Sequence, residues 1–284
     1  MEEDEEDGGM ASQRARALVA QAAKGPGAQG SGINYHGGAV MTGTTKLAYI
    51  WYGSWGDPAA AAVTGAPGAP STQRVLTDLA KSLGGSAWFG IAAGYFSDMG
   101  GVRRYVSNAV SYGGDAIGYD LTDVQAENVV ACVLESQQLP LASDFAYFLL
   151  GGPDIHTTSG FCKTYCGYHS YGATHANQLY KYGFIGSPLA CANHSSCAMQ
   201  MGAGADASPS GNAEADAMAS VIAHELAETV TDPYIDAWAG GGQANMRLGC
   251  PGAAGDCTSR DFLIQRNWVN SGGGYCALSA GLSR

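Results

Sequence analysis

The sequence predicts an α+β fold with α/β-like layers, in which a mixed sheet packs on helices. Two runs of apolar, aromatic and β-branched residues, Leu47–Tyr52 and Phe145–Leu150, are typical of buried central strands. Amphipathic helical patterns alternate with these runs and follow them, as in layered domains. The chain also contains 42 glycines and only 14% charged residues, which favours a loop-rich fold with tight turns.

Composition limits the domain organisation and the class of partner. The 284 residues suit one large domain, which we place at 33–284. Residues 1–32 are acidic and then rich in glycine and alanine, so we expect a disordered tail. The rest of the chain is not basic enough to indicate nucleic-acid binding. No stretch approaches the roughly 18 apolar residues of a membrane span.

Two helices are predicted from their caps and apolar faces. The first begins after Ser71 and runs through Leu83, where two glycines end it. The second begins after a capping box formed by Thr122 and Gln125. Further strands are predicted at Ala87–Phe96, around His169 within Phe161–Tyr171, and at Tyr180–Ile185, Phe262–Trp268 and Tyr275–Leu278, with a loop at Gly240–Gly255.

A third helix, predicted at Ala213–Thr231, carries the clearest chemistry. His224 and Glu228 are four residues apart, so they lie on one helical face, and Glu225 follows His224 directly. The pattern resembles the His-Glu-x-x-His zinc motif with its second histidine replaced by Glu228. Because a carboxylate oxygen also binds zinc, we expect Zn²⁺ on His224 and Glu228, with Glu225 as general base. A polar helix face hydrogen-bonded to a neighbouring loop is the alternative.

Three further polar residues are candidates for the same site. Asp232 is either a third metal ligand or a cap of the turn before Pro233. His169 and His36 each either line a cleft at the metal site or serve as structural histidines with satisfied rings.

The eight cysteines bear on the compartment. Spacings of four and six residues favour disulfide-closed loops over a cysteine zinc site. The disulfide candidates are Cys162, Cys166, Cys191, Cys197, Cys250 and Cys276. Asn193 opens a sequon for N-glycosylation. These features indicate an exported protein, whereas the acidic start lacks the apolar core of a signal peptide.

Several motifs, in one order, resemble the plant EXORDIUM, or phosphate-induced, protein family. The resemblance extends from about Ile33 to Leu278. The matching segments are INYHGG at Ile33–Gly38, YIWYGSW at Tyr49–Trp55, FCKTYCGYHSY at Phe161–Tyr171, SVIAHELAE with DPYIDAW at Ser220–Trp238, and FLIQRNW at Phe262–Trp268.

The resemblance implies a zincin-like metallopeptidase-type domain with a disulfide-stabilised C-terminal half. It also implies an extracellular protein of the cell wall or apoplast, linked to growth, with a wall polymer or a peptide as partner. In the plant family a glutamate suited to a third metal ligand stands where this chain has Asn245. We therefore expect a binding protein with a degenerate metal site. The alternative is a zinc-dependent metallohydrolase, most simply a peptidase.

Overall fold

The computed structural model describes residues 33–55, 68–95, 110–112, 117–192, 197–198, 208–240, 249–257, 260–270 and 275–279. The strands are β1 (Ile33–Tyr35), β2 (Lys46–Tyr52), β3 (Val110–Tyr112), β4 (Asp120–Leu121), β5 (Phe145–Gly151), β6 (His156–Thr157), β7 (Gly167–Ala173), β8 (Leu179–Gly186), β9 (Trp238–Gly240), β10 (Gly249–Cys257), β11 (Arg260–Val269) and β12 (Tyr275–Ala277). The helices are α1 (Thr72–Leu83), α2 (Gly90–Ala93), α3 (Asp123–Glu135) and α4 (Ala213–Thr231).

Five strands form the central sheet in the order β3–β2–β5–β8–β7. The pairs β3–β2, β2–β5 and β5–β8 are parallel, and β7 runs antiparallel to β8. The predicted mixed sheet packed on helices is therefore confirmed. Smaller sheets pair β1 with β9, β4 with β6, and β10, β11 and β12 with one another.

The two faces of the central sheet contact different helices. Along β2, Leu47, Tyr49 and Trp51 pack in one core with α1 and α4. The intervening residues of β2 pack in a second core with α3. A strand covered on both faces is apolar at successive positions, which explains why β2 and β5 were predicted so clearly. The arrangement is three layers, helix–sheet–helix.

The predicted helix boundaries match the structure, and the two caps predicted for α1 and α3 form as expected. The Ser71 hydroxyl accepts a hydrogen bond from the backbone of Arg74 at the start of α1. Thr122 and Gln125 form the reciprocal capping box of α3. Asn212 caps α4, whose range Ala213–Thr231 is the predicted one.

Two predicted elements are wrong. Ala87–Phe96 is not a strand: its described part holds turns and the short helix α2. Trp88, Ile91 and Tyr95 are buried at spacings of three and four, which is the helical period. The predicted loop Gly240–Gly255 contains most of β10, which pairs with β11 despite its small residues.

Two disulfides join the segment before β7 to the segment after β8. They connect Cys162 with Cys191 and Cys166 with Cys197. The closely spaced cysteines therefore pair across the two segments and not within each one. Cys276 is also disulfide-bonded.

Some predictions fall on parts of the chain that are not described. They concern the tail at 1–32, the sequon at Asn193, and Asn245. The side chain of Cys250 is likewise outside the description. Among the described helices, none is both long and apolar enough to cross a membrane.

Candidate metal centre

Helix α4 presents an apolar face to the core and a polar face to the edge strand β7. Ile222, Leu226 and Val230 are fully buried in the core shared with α1 and the sheet. Burying that face against the sheet fixes the rotation of the helix about its axis. Consequently Glu225 and Glu228, which lie three residues apart, are turned towards β7.

Strand β7 brings a histidine to these carboxylates. His169 lies opposite Gly183 in the antiparallel pairing of β7 with β8. Its Nδ1 is 3.1 Å from Oε2 of Glu228 and 3.5 Å from Oε2 of Glu225. On the other side, Nε2 of His224 is 3.2 Å from Oε1 of Glu228. We call these four residues the histidine–glutamate cluster.

The cluster is largely shielded from water. The exposed fraction of the side chain is 7–8% for the two glutamates, 11% for His169 and 19% for His224. Burying ionised groups is costly unless opposite charges compensate. Two imidazoles and two carboxylates supply that compensation in balanced numbers.

The charges of the cluster shift one another's pKa values. Burial by itself would lower the pKa of His169, but Glu225 and Glu228 outweigh it and raise this pKa to about 10. Burial likewise opposes the effect of Glu228 on His224, whose pKa is nevertheless raised to about 9. Burial would raise the pKa of Glu228, but the two histidines lower it to about 2. The histidines and Glu228 therefore favour one another's ionised forms.

The same positions fit a zinc ion. Ligand atoms of a tetrahedral zinc at about 2.1 Å lie about 3.4 Å from one another, close to the 3.1–3.5 Å contacts of His169. One ligand atom from each of His169, Glu225 and Glu228 lies within 4.8 Å of the others. Oε1 of Glu228 makes the 3.2 Å contact with Nε2 of His224 but no hydrogen bond of good geometry among the described residues. Nitrogen and carboxylate oxygen are also the donor types zinc accepts.

The structure brings a further residue, the candidate His169, to the predicted group, while the assignment of His224 and Glu228 as ligands stays a prediction. The sequence pattern pairs His224 with Glu228 and keeps Glu225 as a base. In the structure Glu225 joins His169 and Glu228, while His224 approaches the other oxygen of Glu228. The spacing of three between Glu225 and Glu228 is the sequence signal for two converging carboxylates.

The remaining predicted residues lie around the cluster or away from it. Oδ1 of Asp232 accepts hydrogen bonds from the backbone N–H groups of Asp236 and Ala237, each at 2.7 Å. Asp232 therefore caps the turn after α4, and burial raises its pKa. His36 is exposed, and its backbone N–H donates to the carbonyl of Ala237 at 2.6 Å.

Fold and site together define a three-layer protein with a buried histidine–carboxylate cluster between an edge strand and a helix. The phosphate-induced protein 1 conserved region matches residues 33–260. This chain belongs to that family.

Two relatives extend the comparison. The chain is 30% identical over 223 residues to Protein EXORDIUM-like 5 of Arabidopsis thaliana, covering 74% of this chain and 60% of the relative. It is 25% identical over 233 residues to Protein EXORDIUM-like 3 of the same plant, covering 74% and 64%. The chain thus spans less than two thirds of either relative. No solved structure matches it.

Proposed function

We propose that this protein is a non-catalytic binding protein that holds one Zn²⁺ ion between β7 and α4. His169, Glu225 and Glu228 would be the ligands, and His224 would support Glu228 from its other oxygen. The position of His169, whose Nδ1 lies within 3.5 Å of both carboxylates, carries this proposal. A carboxylate that binds the ion cannot also serve as a free base, so Glu225 in the ligand group favours binding over hydrolysis.

The proposal places the protein outside the cell, on a zincin-like scaffold. The disulfides Cys162–Cys191 and Cys166–Cys197 support an oxidising compartment. Membership of a family with EXORDIUM-like relatives supports a growth-related role, with a wall polymer or a peptide as the partner. In this role the metal would join β7 to α4 and stiffen the surface that the partner contacts.

A zinc-dependent hydrolase, most simply a peptidase, is the second candidate. It is favoured by the approach of His224 Nε2 to Glu228, because His169, His224 and Glu228 could then be the three ligands. When bound, zinc would supply Lewis acidity towards a carbonyl group. Glu225 would then hold the proton taken from the attacking water.

The Glu225→Gln variant separates the two candidates, because an amide is a poor zinc ligand and also a poor base. The binding protein loses zinc affinity by at least about 10-fold and shows no peptidase activity in either form. The hydrolase keeps its zinc affinity and loses turnover. The measurements are zinc titration against a competing chromogenic chelator, and cleavage of a mixed peptide library. Zinc-dependent cleavage by the unmodified protein would contradict the first candidate.

A further inference from the structure

Strand β7 lies close to helix α4 at a glycine beside the histidine–glutamate cluster. A Cβ atom built on Gly167 would lie 2.5 Å from Cγ1 of Val221 and 2.9 Å from the carbonyl oxygen of Phe184. Real Cβ atoms essentially never approach other heavy atoms within 3.0 Å. Any side chain at position 167 would therefore force strand and helix apart.

The Gly167–Val221 contact lies next to the contact of His169 with Glu225, both along β7 and along α4. Gly167 and His169 are two residues apart, so they face the same side of the sheet and are separated by about 6.7 Å. Val221 and Glu225 are four residues apart on one helical face, separated by about 6 Å. The two spacings nearly match, so the Gly167–Val221 contact sets the distance that His169 must span to reach the carboxylates.

We propose that Gly167 is a positioning residue for the metal site. Its missing side chain lets β7 lie close enough to α4 for His169 to share an ion with Glu225 and Glu228. This inference rests on the proposed zinc binding, and it names a residue that determines the zinc affinity. A methyl group at position 167 would move β7 by a distance on the order of 1 Å, whereas metal–ligand distances tolerate only about 0.2 Å.

The test compares Gly167→Ala with a matched control in the same strand. A Cβ atom on Gly172 would also meet a close neighbour, Cζ of Tyr180 at 2.5 Å, together with Oε1 of Glu127 at 2.8 Å. Tyr180 belongs to the core on the α3 face of the sheet, away from α4. Gly172→Ala therefore strains β7 to a similar degree without changing its contact with α4.

Zinc affinity and the unfolding midpoint of zinc-free protein are measured for each variant. Gly167→Ala should weaken zinc binding at least about 10-fold, and the double variant Gly167→Ala/Val221→Ala should recover part of that loss. Gly172→Ala should lower the midpoint and leave zinc affinity unchanged. If Gly167→Ala binds zinc as tightly as the unmodified protein, the positioning role is overturned but the proposed function is not. The same holds if Gly172→Ala weakens zinc binding as much as Gly167→Ala does. An unmodified protein without zinc affinity overturns the proposed function as well.

Discussion

Helix α4 buries carboxylates in two places, and their partners differ in kind. Near its start, Glu214 accepts hydrogen bonds from the hydroxyls of Thr72 at 2.7 Å and Ser187 at 2.5 Å. In its middle, Glu225 and Glu228 face the imidazoles of the histidine–glutamate cluster. Counted over the whole residue, each of the three glutamates exposes about 5–6% of its surface, so burial does not distinguish the two places.

The two places differ in whether the hydrogen-bond partners of the carboxylate can ionise. Glu214 has neutral hydroxyl donors from α1 and from the turn after β8, and both of its oxygens are satisfied. It connects three segments and leaves no position for a ligand. The cluster instead holds ionisable partners that can release protons, and Oε1 of Glu228 contacts Nε2 of His224 at 3.2 Å without a hydrogen bond of good geometry. A buried carboxylate facing imidazoles is therefore the better candidate for metal binding.

Removing a glutamate from the cluster should have the largest effect. Glu228→Ala leaves two buried imidazoles without their shared partner. We expect the free energy of unfolding to fall by about 3–5 kcal/mol and zinc binding to disappear. Denaturant titration and zinc titration measure the two effects.

An exposed histidine–glutamate pair provides the control for Glu228→Ala. Glu135 lies 2.8 Å from Nδ1 of His175, whose side chain is 91% exposed. Glu135→Ala should change the free energy of unfolding by no more than about 1 kcal/mol. Similar losses for Glu228→Ala and Glu135→Ala would show that the buried cluster has no special role.

Glu214→Ala should affect stability without affecting the metal. The substitution leaves the hydroxyls of Thr72 and Ser187 without their acceptor, so we expect a loss of about 1–3 kcal/mol in unfolding free energy. Zinc affinity should remain within about twofold of the unmodified protein, because Glu214 lies about three turns before Glu225. A large loss of zinc affinity would mean that the two carboxylate sites are coupled.

Lys181 is a buried cation whose hydrogen-bond partner is neutral. Its Nζ donates a hydrogen bond to the carbonyl of Ser143, and burial lowers its pKa to about 8 despite the charge of Asp144. The folded state thus binds this proton less tightly than the unfolded state, whose pKa is near 10.5. Stability should rise as the pH increases from about 8 towards 10.5.

Substitution of Lys181 by methionine should remove this pH dependence. The unfolding midpoint of the unmodified protein should rise by a few degrees relative to that of Lys181→Met over that range. Thermal unfolding of zinc-free protein at several pH values measures it. A difference that stays constant with pH would show that Lys181 titrates as an exposed lysine does.

Local sequence signals predicted the main elements well. Continuous apolar runs identified β2 and β5, and side-chain caps located the starts of α1 and α3. The two wrong predictions concern segments whose residue types indicate a different element from the one the structure shows. The aromatic residues of Ala87–Phe96 predict a strand, but the burial of the described ones follows helical spacing. The small residues of β10 predict a loop, but β10 is a strand that pairs with β11.

The sequence predicted the helix residues of the candidate site directly, whereas it left His169 open between a cleft residue and a structural histidine. The spacings among His224, Glu225 and Glu228 follow from helical geometry, so their convergence could be read from the sequence. The approach of His169 depends on the pairing of β7 with β8 and on the position of α4 against the sheet. No local pattern encodes that tertiary arrangement. The degenerate site expected from Asn245 stays a prediction.

The zinc content of His169→Ala shows directly whether β7 supplies a zinc ligand, because β7 contributes only this residue to the histidine–glutamate cluster. The full chain, its His169→Ala variant and a His175→Ala control are loaded with zinc, dialysed and analysed by elemental mass spectrometry. We predict about one zinc per chain in the full chain and in His175→Ala, and none in His169→Ala. Zinc retained equally by all three proteins, or bound by none of them, would contradict zinc binding through His169.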